Sequence, residues 1–352
     1  MYMFKSTIQL LLISSLLLIS ACNDNSNTEA KALKAAVPAK TTAPAKNEQA
    51  TKILYITSVG WFHDYQQQIK TISNSINQYM NADIDVIVGD IERLKTTDFS
   101  NGYDLLIYNF CHAAQRDDAL VQSLISPIVE QGIPLIALHC AMHSFQFDSQ
   151  WAEFLGLHTL RHEKQRDITV EKVGEHALTK AFPDSWDLAS DELYITLSKN
   201  ENAIALLQSY GVETKQNHTQ AWLYKSGQGN IIGTTLGHNE STLKNANFQC
   251  FLANSIQYLL GLELTTSANP AFASSVNLLS KGVIYPDQQE KKCVIHNMFS
   301  IGGEKVKSCV ASQCTDSSKI AQCTAQCQQD NPWPVPESLR EACQNNELTA
   351  PN

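Results

Sequence analysis

Short apolar runs that alternate with helical periodicity limit what this 352-residue chain can fold into. Four runs have the length and β-branched composition of buried strands, namely 52–57, 84–88, 104–109 and 133–138. Segments 64–80 and 117–131 carry apolar residues at helical spacing, and Gly132 is a natural helix stop. This alternation predicts an α/β domain with an open parallel sheet and helices on both faces.

The segments beyond residue 165 are shorter, and they complete the same domain. Residues 226–229 (SGQG) predict a hairpin turn between two strands, and residues 246–260 predict a closing helix. We therefore assign residues 52–264 to one α/β domain.

The N-terminus has the features of an export signal. Lys5 precedes an apolar run over residues 8–19, which is short for a membrane span of roughly 20 residues. The tetrad Ile19-Ser20-Ala21-Cys22 resembles a bacterial lipobox, which implies that residues 1–21 are a lipoprotein signal peptide and Cys22 is lipidated. A plain secretory signal is the alternative. Residues 22–51 are polar and rich in Ala, Lys and Pro, which predicts a flexible tether.

These features predict a protein anchored by lipid in the bacterial cell envelope. Asn23 rather than aspartate follows the cysteine, which favours the outer membrane. The formal charge of -9, with 26 basic against 35 acidic residues and no basic stripe, argues against a nucleic-acid partner.

The C-terminal part differs in composition from the α/β domain. Residues 265–292 are predicted to form a connector, and residues 293–352 form a cysteine-rich module. Its cysteines are Cys293, Cys309, Cys314, Cys323, Cys327 and Cys343. In an exported chain they predict three disulfides, whose pairing the sequence leaves open, with a metal site as the rival interpretation. A segment this small buries little core and needs such cross-links.

Histidines follow several of the predicted strands. His63, His112, His139 and His238 each come shortly after a strand ends. Because ligands bind at the carboxyl ends of parallel strands in open α/β sheets, we expect these imidazoles to converge on one region. Together with the acidic residues of the chain they can bind a metal ion or move protons near neutral pH. No HExxH motif fixes a zinc site, so a divalent metal is only a candidate cofactor.

A set of longer motifs carries a family resemblance. The segments FHD, ALHCAMHS, GLHTLRHEKQ, EHALTKAFP, DELY and AWLYKSGQGNIIGTTLGH resemble the ThuA-like (trehalose utilisation) family, in its order and over residues 52–262. The resemblance implies a flavodoxin-like fold of the class I glutamine amidotransferase-like superfamily. It also implies a role in the metabolism of carbohydrates, either disaccharides or their oxidised keto forms. The recurrent polar positions of the family match His63, His139, His162, His176, Asp191, Glu192, Tyr194 and His238.

The first functional hypothesis is acid–base or metal-assisted chemistry on a carbohydrate. The proposed catalytic residues are His63, His139, His162, Glu192 and His238. The proposed substrate-binding residues are Asp191, Tyr194 and His112. A carbonyl beside a C–H bond needs a base near neutral pH and a donor at the developing oxyanion, and this set supplies both. The rival interpretation is that Asp191, Glu192 and Tyr194 only hold loops together.

Two further hypotheses are of different classes. Cys140, where the family usually has a small residue, follows a strand and could act with His238 and Glu240 as a cysteine hydrolase or amidotransferase. The glycines that normally flank such a nucleophile are missing around Cys140. The third hypothesis is a sugar-binding lipoprotein without turnover, in which histidine substitutions change affinity but abolish no chemistry.

Overall fold

The structure is a computed structural model that describes residues 50–146, 148–264, 275–315 and 320–351. The predicted signal peptide, the lipidation site Cys22 and the tether up to residue 49 lie outside the described residues, as do residues 265–274 of the connector. Among the described helices, none combines the length and the apolar character that crossing a bilayer requires.

The first half of the α/β domain alternates strands and helices as predicted. Its elements are β1 (Thr51–Thr57), α1 (Tyr65–Tyr79), β2 (Ala82–Val88), α2 (Ile91–Leu94), β3 (Leu105–Asn109), α3 (Asp118–Val129), β4 (Leu135–Leu138), a 3₁₀ helix (His139–His143) and α4 (Ser149–Leu155). Asp64 and Asp117 begin α1 and α3, because each carboxylate accepts a hydrogen bond from a backbone N–H in the first turn.

The second half of the domain contains more strands. Its elements are β5 (Leu157–His162), β6 (Arg166–Lys172), a 3₁₀ helix (Ala177–Thr179), β7 (Ser185–Asp191), β8 (Tyr194–Lys199), β9 (Ile204–Gly211), β10 (Gln216–Ser226), β11 (Gly229–Thr234), α5 (Glu240–Leu243) and α6 (Ala246–Leu259). β10 and β11 form the predicted hairpin, with Ser226 opposite Gly229.

Most of the described strands form one sheet. From β2 onward, the strand order in this sheet is β2, β1, β3, β4, β11, β10, β9, β6 and β7. The pairs from β2 to β11 are parallel, and the pairs from β11 to β7 are antiparallel. The order 2-1-3-4 followed by β11 is that of flavodoxin-like doubly wound sheets. The predicted fold class is confirmed, although the sheet is mixed because of the antiparallel half.

The two faces of the sheet have separate hydrophobic cores. Ile53 and Tyr55 of β1 belong to the core beneath α1 and α6, whereas Leu54 and Ile56 belong to the core beneath α3 and α4. This follows from the two-residue repeat of a strand, which sends neighbouring side chains to opposite faces. A strand buried on both faces therefore reads as a continuous apolar run.

The C-terminal part adds one strand and three helices. The strand β12 (Ser275–Leu278), within the segment assigned as a connector, pairs in parallel with the outer edge of β2. It is followed by α7 (Gln288–Gln313), α8 (Ile320–Asp330) and α9 (Pro336–Gln344), which we call the C-terminal helices. The six cysteines of this part form three disulfides, Cys293–Cys343, Cys309–Cys327 and Cys314–Cys323.

Candidate functional site

A cavity of about 430 Å³ lies at the carboxyl edge of the parallel strands. Its polar lining includes His63 after β1, His112 after β3, His162 at the end of β5, and Glu192 and His238 in the loops after β7 and β11. Parallel strands end at the same edge, so residues far apart in the chain meet there. The expected convergence of histidines is found, although His139 lies behind the cavity wall and is 1% exposed.

The carboxylate of Glu192 is the centre of the cluster. Its Oε2 atom lies 3.2 Å from His238 Nδ1 and 3.5 Å from His139 Nε2, and its Oε1 atom lies 3.7 Å from His162 Nε2. Burial opposes the ionisation of Glu192, but the imidazoles of His139 and His238 outweigh it and lower the pKa of the carboxyl well below its usual range. Glu192 is therefore an anion facing three imidazoles.

His139 occupies a strained turn between β4 and the 3₁₀ helix. Its φ angle is 45°, in the left-handed region that residues with a Cβ rarely adopt. Its Nδ1–H donates a 2.6 Å hydrogen bond to the carbonyl of Thr235, which directs Nε2 toward Glu192 and Tyr194. Burial lowers the pKa of His139, but the carboxylates of Glu192 and Asp191 raise it by more than burial lowers it. The pKa of His139 is therefore above its ordinary value.

His63 differs from His139 in its protonation. Burial lowers the pKa of His63 well below its ordinary value, and the neighbouring imidazoles of His139 and His238 lower it further. Its Nδ1 atom is buried without a hydrogen-bond partner. The preceding turn is shaped by Gly60, at φ +90°, where a Cβ would lie 2.6 Å from the His63 carbonyl oxygen. His63 is thus a neutral imidazole beside the ion pair.

Asp191, one of the predicted substrate-binding residues, lies beneath the His238 loop and not on the cavity. It is 0% exposed, and it does not line the cavity. Its carboxylate accepts hydrogen bonds from the backbone N–H groups of Gly237 and His238 and from the hydroxyl of Thr242. Both oxygens are therefore occupied in holding the loop that presents His238.

A polar network beneath the loop was not foreseen from the sequence. The Gln68 amide donates to the carbonyl of His238, and the Asn109 amide donates to Gln68 and to the hydroxyl of Tyr55. These side chains lie on α1, β3 and β1, so their only sequence signal is a polar residue inside an apolar strand or on a buried helix face. They fix the backbone of the His238 loop from below.

The remaining predicted residues occupy distinct places. Tyr194 and His112 line the cavity, and burial raises the pKa of Tyr194 well above its ordinary value, so its hydroxyl remains protonated. His143, which we did not assign to the site, stacks on Tyr194 with ring centroids 3.9 Å apart and also lines the cavity. His176 lies away from the cavity, where it begins the second 3₁₀ helix and packs against Tyr258.

The geometry does not support Cys140 as a nucleophile. Its sulfur is bonded to Cys111, which follows the neighbouring strand β3, so no thiolate is available there. Glu240 does not pair with His238 either. Its Oε2 atom accepts a hydrogen bond from the Thr71 hydroxyl and forms an ion pair with Lys244. The partner of His238 is Glu192 instead.

Three imidazoles of the cluster fit a divalent metal ion. Ligand nitrogens of His63, His139 and His238 all lie within 4.8 Å of one another. Tetrahedral zinc with Zn–N bonds of about 2.0 Å would bring such nitrogens to roughly 3.4 Å, so small side-chain rotations suffice. His63 offers a buried nitrogen without a hydrogen-bond partner, and Glu192 is an anionic neighbour for the cation. The donor set is therefore suitable.

Comparisons with known proteins agree with this fold. A family model described as "ThuA: Trehalose utilisation" matches residues 52–259, more than half of the chain. A ThuA-like protein from Parabacteroides merdae superimposes with a TM-score of 0.51 at 16% identity, over 64% of this chain and 98% of that one. One from Bacteroides uniformis gives a TM-score of 0.50 at 17% identity, over 62% and 95%. Among curated proteins, none matches the sequence.

Proposed function

The chain belongs to the ThuA (trehalose utilisation) family, and on that premise we propose that it acts on a carbohydrate, a disaccharide or a keto-sugar, by histidine–glutamate acid–base chemistry. The observation that carries the proposal is the Glu192 carboxylate within 3.2–3.7 Å of three imidazoles, two of which line the cavity. Such a group exchanges protons near neutral pH.

The residues divide the work according to their positions. His238 and His162 line the cavity beside the anionic Glu192, so they accept and return the proton of a bound sugar. His139 lies behind Glu192 and stabilises its charge. The protonated hydroxyl of Tyr194 donates to an oxygen on which negative charge develops.

A metal-assisted version of the same chemistry is supported by the His63, His139 and His238 cluster. A divalent ion held there would polarise a sugar oxygen as a Lewis acid. The residues that do not bind the metal would keep the same roles. Glu192 would still orient His238, and Tyr194 would still donate a hydrogen bond from the cavity wall.

The proposal is tested with trehalose and with trehalose oxidised to a ketone at one ring carbon. We expect the wild type to convert one of them, or to exchange the C–H beside the ketone with solvent deuterium, both followed by NMR. Glu192→Gln should slow this reaction about 100-fold or more. His296→Asn, which changes an exposed histidine of α7, is the matched control. A wild type inert toward both sugars, or a fully active Glu192→Gln, contradicts the proposal.

Two rival functions are separated by the same variants. A sugar-binding protein without turnover would bind trehalose, and Glu192→Gln would change its affinity while no product formed with any variant. A cysteine hydrolase would require a free Cys140 thiol, and the bond to Cys111 argues against it.

The location of the protein is part of the proposal. The lipobox-like sequence at Cys22 supports a lipid anchor in the bacterial envelope, and the disulfides of the described residues are consistent with an oxidising compartment. Labelling with radioactive palmitate in a bacterial host tests it. The wild type should incorporate label and sediment with outer membranes, whereas Cys22→Ser should do neither.

A further inference from the structure

The C-terminal helices form one wall of the cavity. The helices α7 and α9 contribute Met298, Phe299, Pro336 and Glu337 to its lining, and the segment that joins α8 to α9 contributes Trp333 and Val335. The match to the family ends at residue 259, so this wall is built by a part of the chain that the family does not cover. The cavity is therefore bounded by two structural units, one with the imidazoles and one that is largely apolar.

The wall is docked onto the loop that carries His63. The indole N–H of Trp61 donates a 2.8 Å hydrogen bond to Glu337 Oε1, and the Arg340 guanidinium lies 5.5 Å from the centre of the same ring. Trp61 also packs in a buried cluster with Val294, Met298 and Leu339. A second contact joins the loop after β3 to α8, where Arg116 donates to the carbonyl of Gln329. The wall is thus fixed to two of the loops that border the cavity, those after β1 and β3.

Disulfides hold the wall together. Cys293–Cys343 joins α7 to α9, and Cys309–Cys327 joins α7 to α8. These bonds connect the three helices that frame the lining residues, and they restrict the unfolded chain. A small unit with little core of its own is kept in one shape by such bonds.

Two aromatic rings of this wall form a corner. Phe299 and Trp333 meet with ring centroids 4.8 Å apart and planes at 75°. Trp333 lies so close to Gly302 of α7 that a Cβ there would be 2.1 Å from its Cδ1 atom, so glycine is needed for this position of the ring. Phe299 is 46% exposed although it is a large apolar residue. An exposed aromatic that lines a cavity is typical of a ligand-binding surface.

We propose that Phe299 and Trp333 form a second subsite, which binds the non-reacting ring of a disaccharide while the other ring lies against the histidines. This inference rests on the proposed function, and it assigns the preference for a disaccharide over a monosaccharide to these two rings. The face of an aromatic ring is electronegative, and one face of a pyranose presents C–H groups, so the two surfaces are complementary. The 430 Å³ cavity is within the roughly 300–1,000 Å³ of small-molecule sites.

The test compares disaccharides with a monosaccharide by isothermal titration calorimetry. The full chain is titrated with trehalose, maltose, cellobiose, sucrose and glucose under non-reducing conditions. For the disaccharide that binds most tightly, we expect Trp333→Ala and Phe299→Ala to weaken binding about 10-fold or more, by analogy with stacking aromatics elsewhere. Glucose binding should change less than about twofold, since glucose needs only the histidine side of the cavity.

Three controls keep the result specific to the rings. Trp333→Phe keeps an aromatic face and should retain most of the disaccharide affinity. Gly302→Ala leaves Trp333 in the chain but displaces it, and it should therefore reproduce the loss. Tyr210→Ala removes an aromatic that is 51% exposed on β9, away from the cavity, and should change nothing. A cooperative thermal transition followed by circular dichroism shows that each variant is folded, and mass spectrometry verifies that its disulfides are intact.

The outcomes separate this inference from the proposed function. Disaccharide binding that persists unchanged in Trp333→Ala and Phe299→Ala overturns the second subsite and leaves the proposed function standing. An equal loss for glucose and the disaccharide also overturns it, because the rings would then support the whole cavity. A wild type that binds none of the five sugars overturns the second subsite, and the proposed function is then decided by the NMR test with the oxidised trehalose.

Discussion

The Nδ1 atom of His139 lies 2.6 Å from the carbonyl oxygen of Thr235, across the edge of the sheet between β4 and β11. A carbonyl only accepts hydrogen bonds, so this contact keeps a proton on Nδ1 and leaves Nε2 to respond to Glu192. The strained backbone of His139 is compensated by this bond and by the packing around the buried ring. The acid–base behaviour of the site therefore depends on one carboxylate.

Replacement of Glu192 should change the titration of His139. Glu192 raises the pKa of this imidazole against the opposing effect of burial. In metal-free buffer, we expect Glu192→Gln to lower the pKa of His139, because burial is then opposed only by the charge of Asp191 and by the hydrogen bond to the Thr235 carbonyl. Imidazole ¹⁵N NMR measures it. Glu304→Gln, an exposed substitution on α7, is the control. An unchanged titration in Glu192→Gln would show that the ion pair does not form.

The histidine cluster should bind a divalent metal ion. We expect the wild type to take up one equivalent of Co²⁺, with loss of about 10-fold or more in affinity for His63→Ala and for His238→Ala, since each removes one of three nitrogens. Metal analysis after gel filtration gives the stoichiometry, and the visible absorption of Co²⁺ reports its coordination.

His296→Asn serves as the control for metal uptake at an exposed histidine. If the wild type retains no metal, or if both variants retain as much as the wild type, the metal-assisted version of the mechanism is excluded. Proton transfer by Glu192 and its histidines would then be the whole chemistry.

Stability should fall in acid because of His143. Burial lowers the pKa of this ring to about 3, with a further contribution from His162 and His139. The unfolded chain takes up the proton near pH 6.5, whereas the folded chain does so only near pH 3. The contribution of the neutral His143 to the free energy of unfolding is therefore complete above pH 6.5 and is lost as the pH falls toward 3. The loss is at most about 1.4 kcal/mol for each pH unit in that window. Urea denaturation at several pH values measures it.

His143→Phe keeps the stack on Tyr194 but removes the titrating group. The free energy of unfolding of this variant should therefore depend less steeply on pH between 6.5 and 3 than that of the wild type. Equal slopes would mean that the ring is already protonated in the folded protein or that it is not buried.

The disulfide between Cys111 and Cys140 should be structural. It closes a sequence separation of 29 residues, for which chain entropy predicts a contribution of roughly 3–4 kcal/mol. We expect Cys111→Ala and Cys140→Ala to lower the free energy of unfolding similarly in guanidinium titrations, and both to keep sugar turnover. A loss of turnover confined to Cys140→Ala would instead identify a thiol nucleophile.

The parts of the fold that depend on local pattern could be predicted from the sequence. The buried strands β1 and β3 read as apolar runs, and Asp64 and Asp117 mark the starts of the helices that follow them. The convergence of histidines followed from the rule for parallel strands, without knowledge of any distance. Such predictions succeed because period, capping and strand ends are encoded within a few residues.

The features that were not predicted join segments far apart in the chain. Cys111 and Cys140 pair because β3 and β4 are neighbours in the sheet, and neither residue shows this in its local sequence. Asp191 reads like its neighbour Glu192, yet it is turned into the protein to hold the loop of His238. The position of Trp333 on the cavity depends on contacts between Trp61 and Glu337, which are 276 residues apart.

The strand β12 has a consequence for anyone who shortens this protein. It satisfies the backbone groups along the outer edge of β2, and the hydroxyl oxygen of Ser280 accepts a hydrogen bond from the N–H of Val88. A chain cut at residue 264 would keep the whole segment that matches the family but leave this edge bare. Bare edges recruit strands from other molecules, so such a fragment is expected to aggregate. A well-behaved shortened version has to extend at least through Ser280.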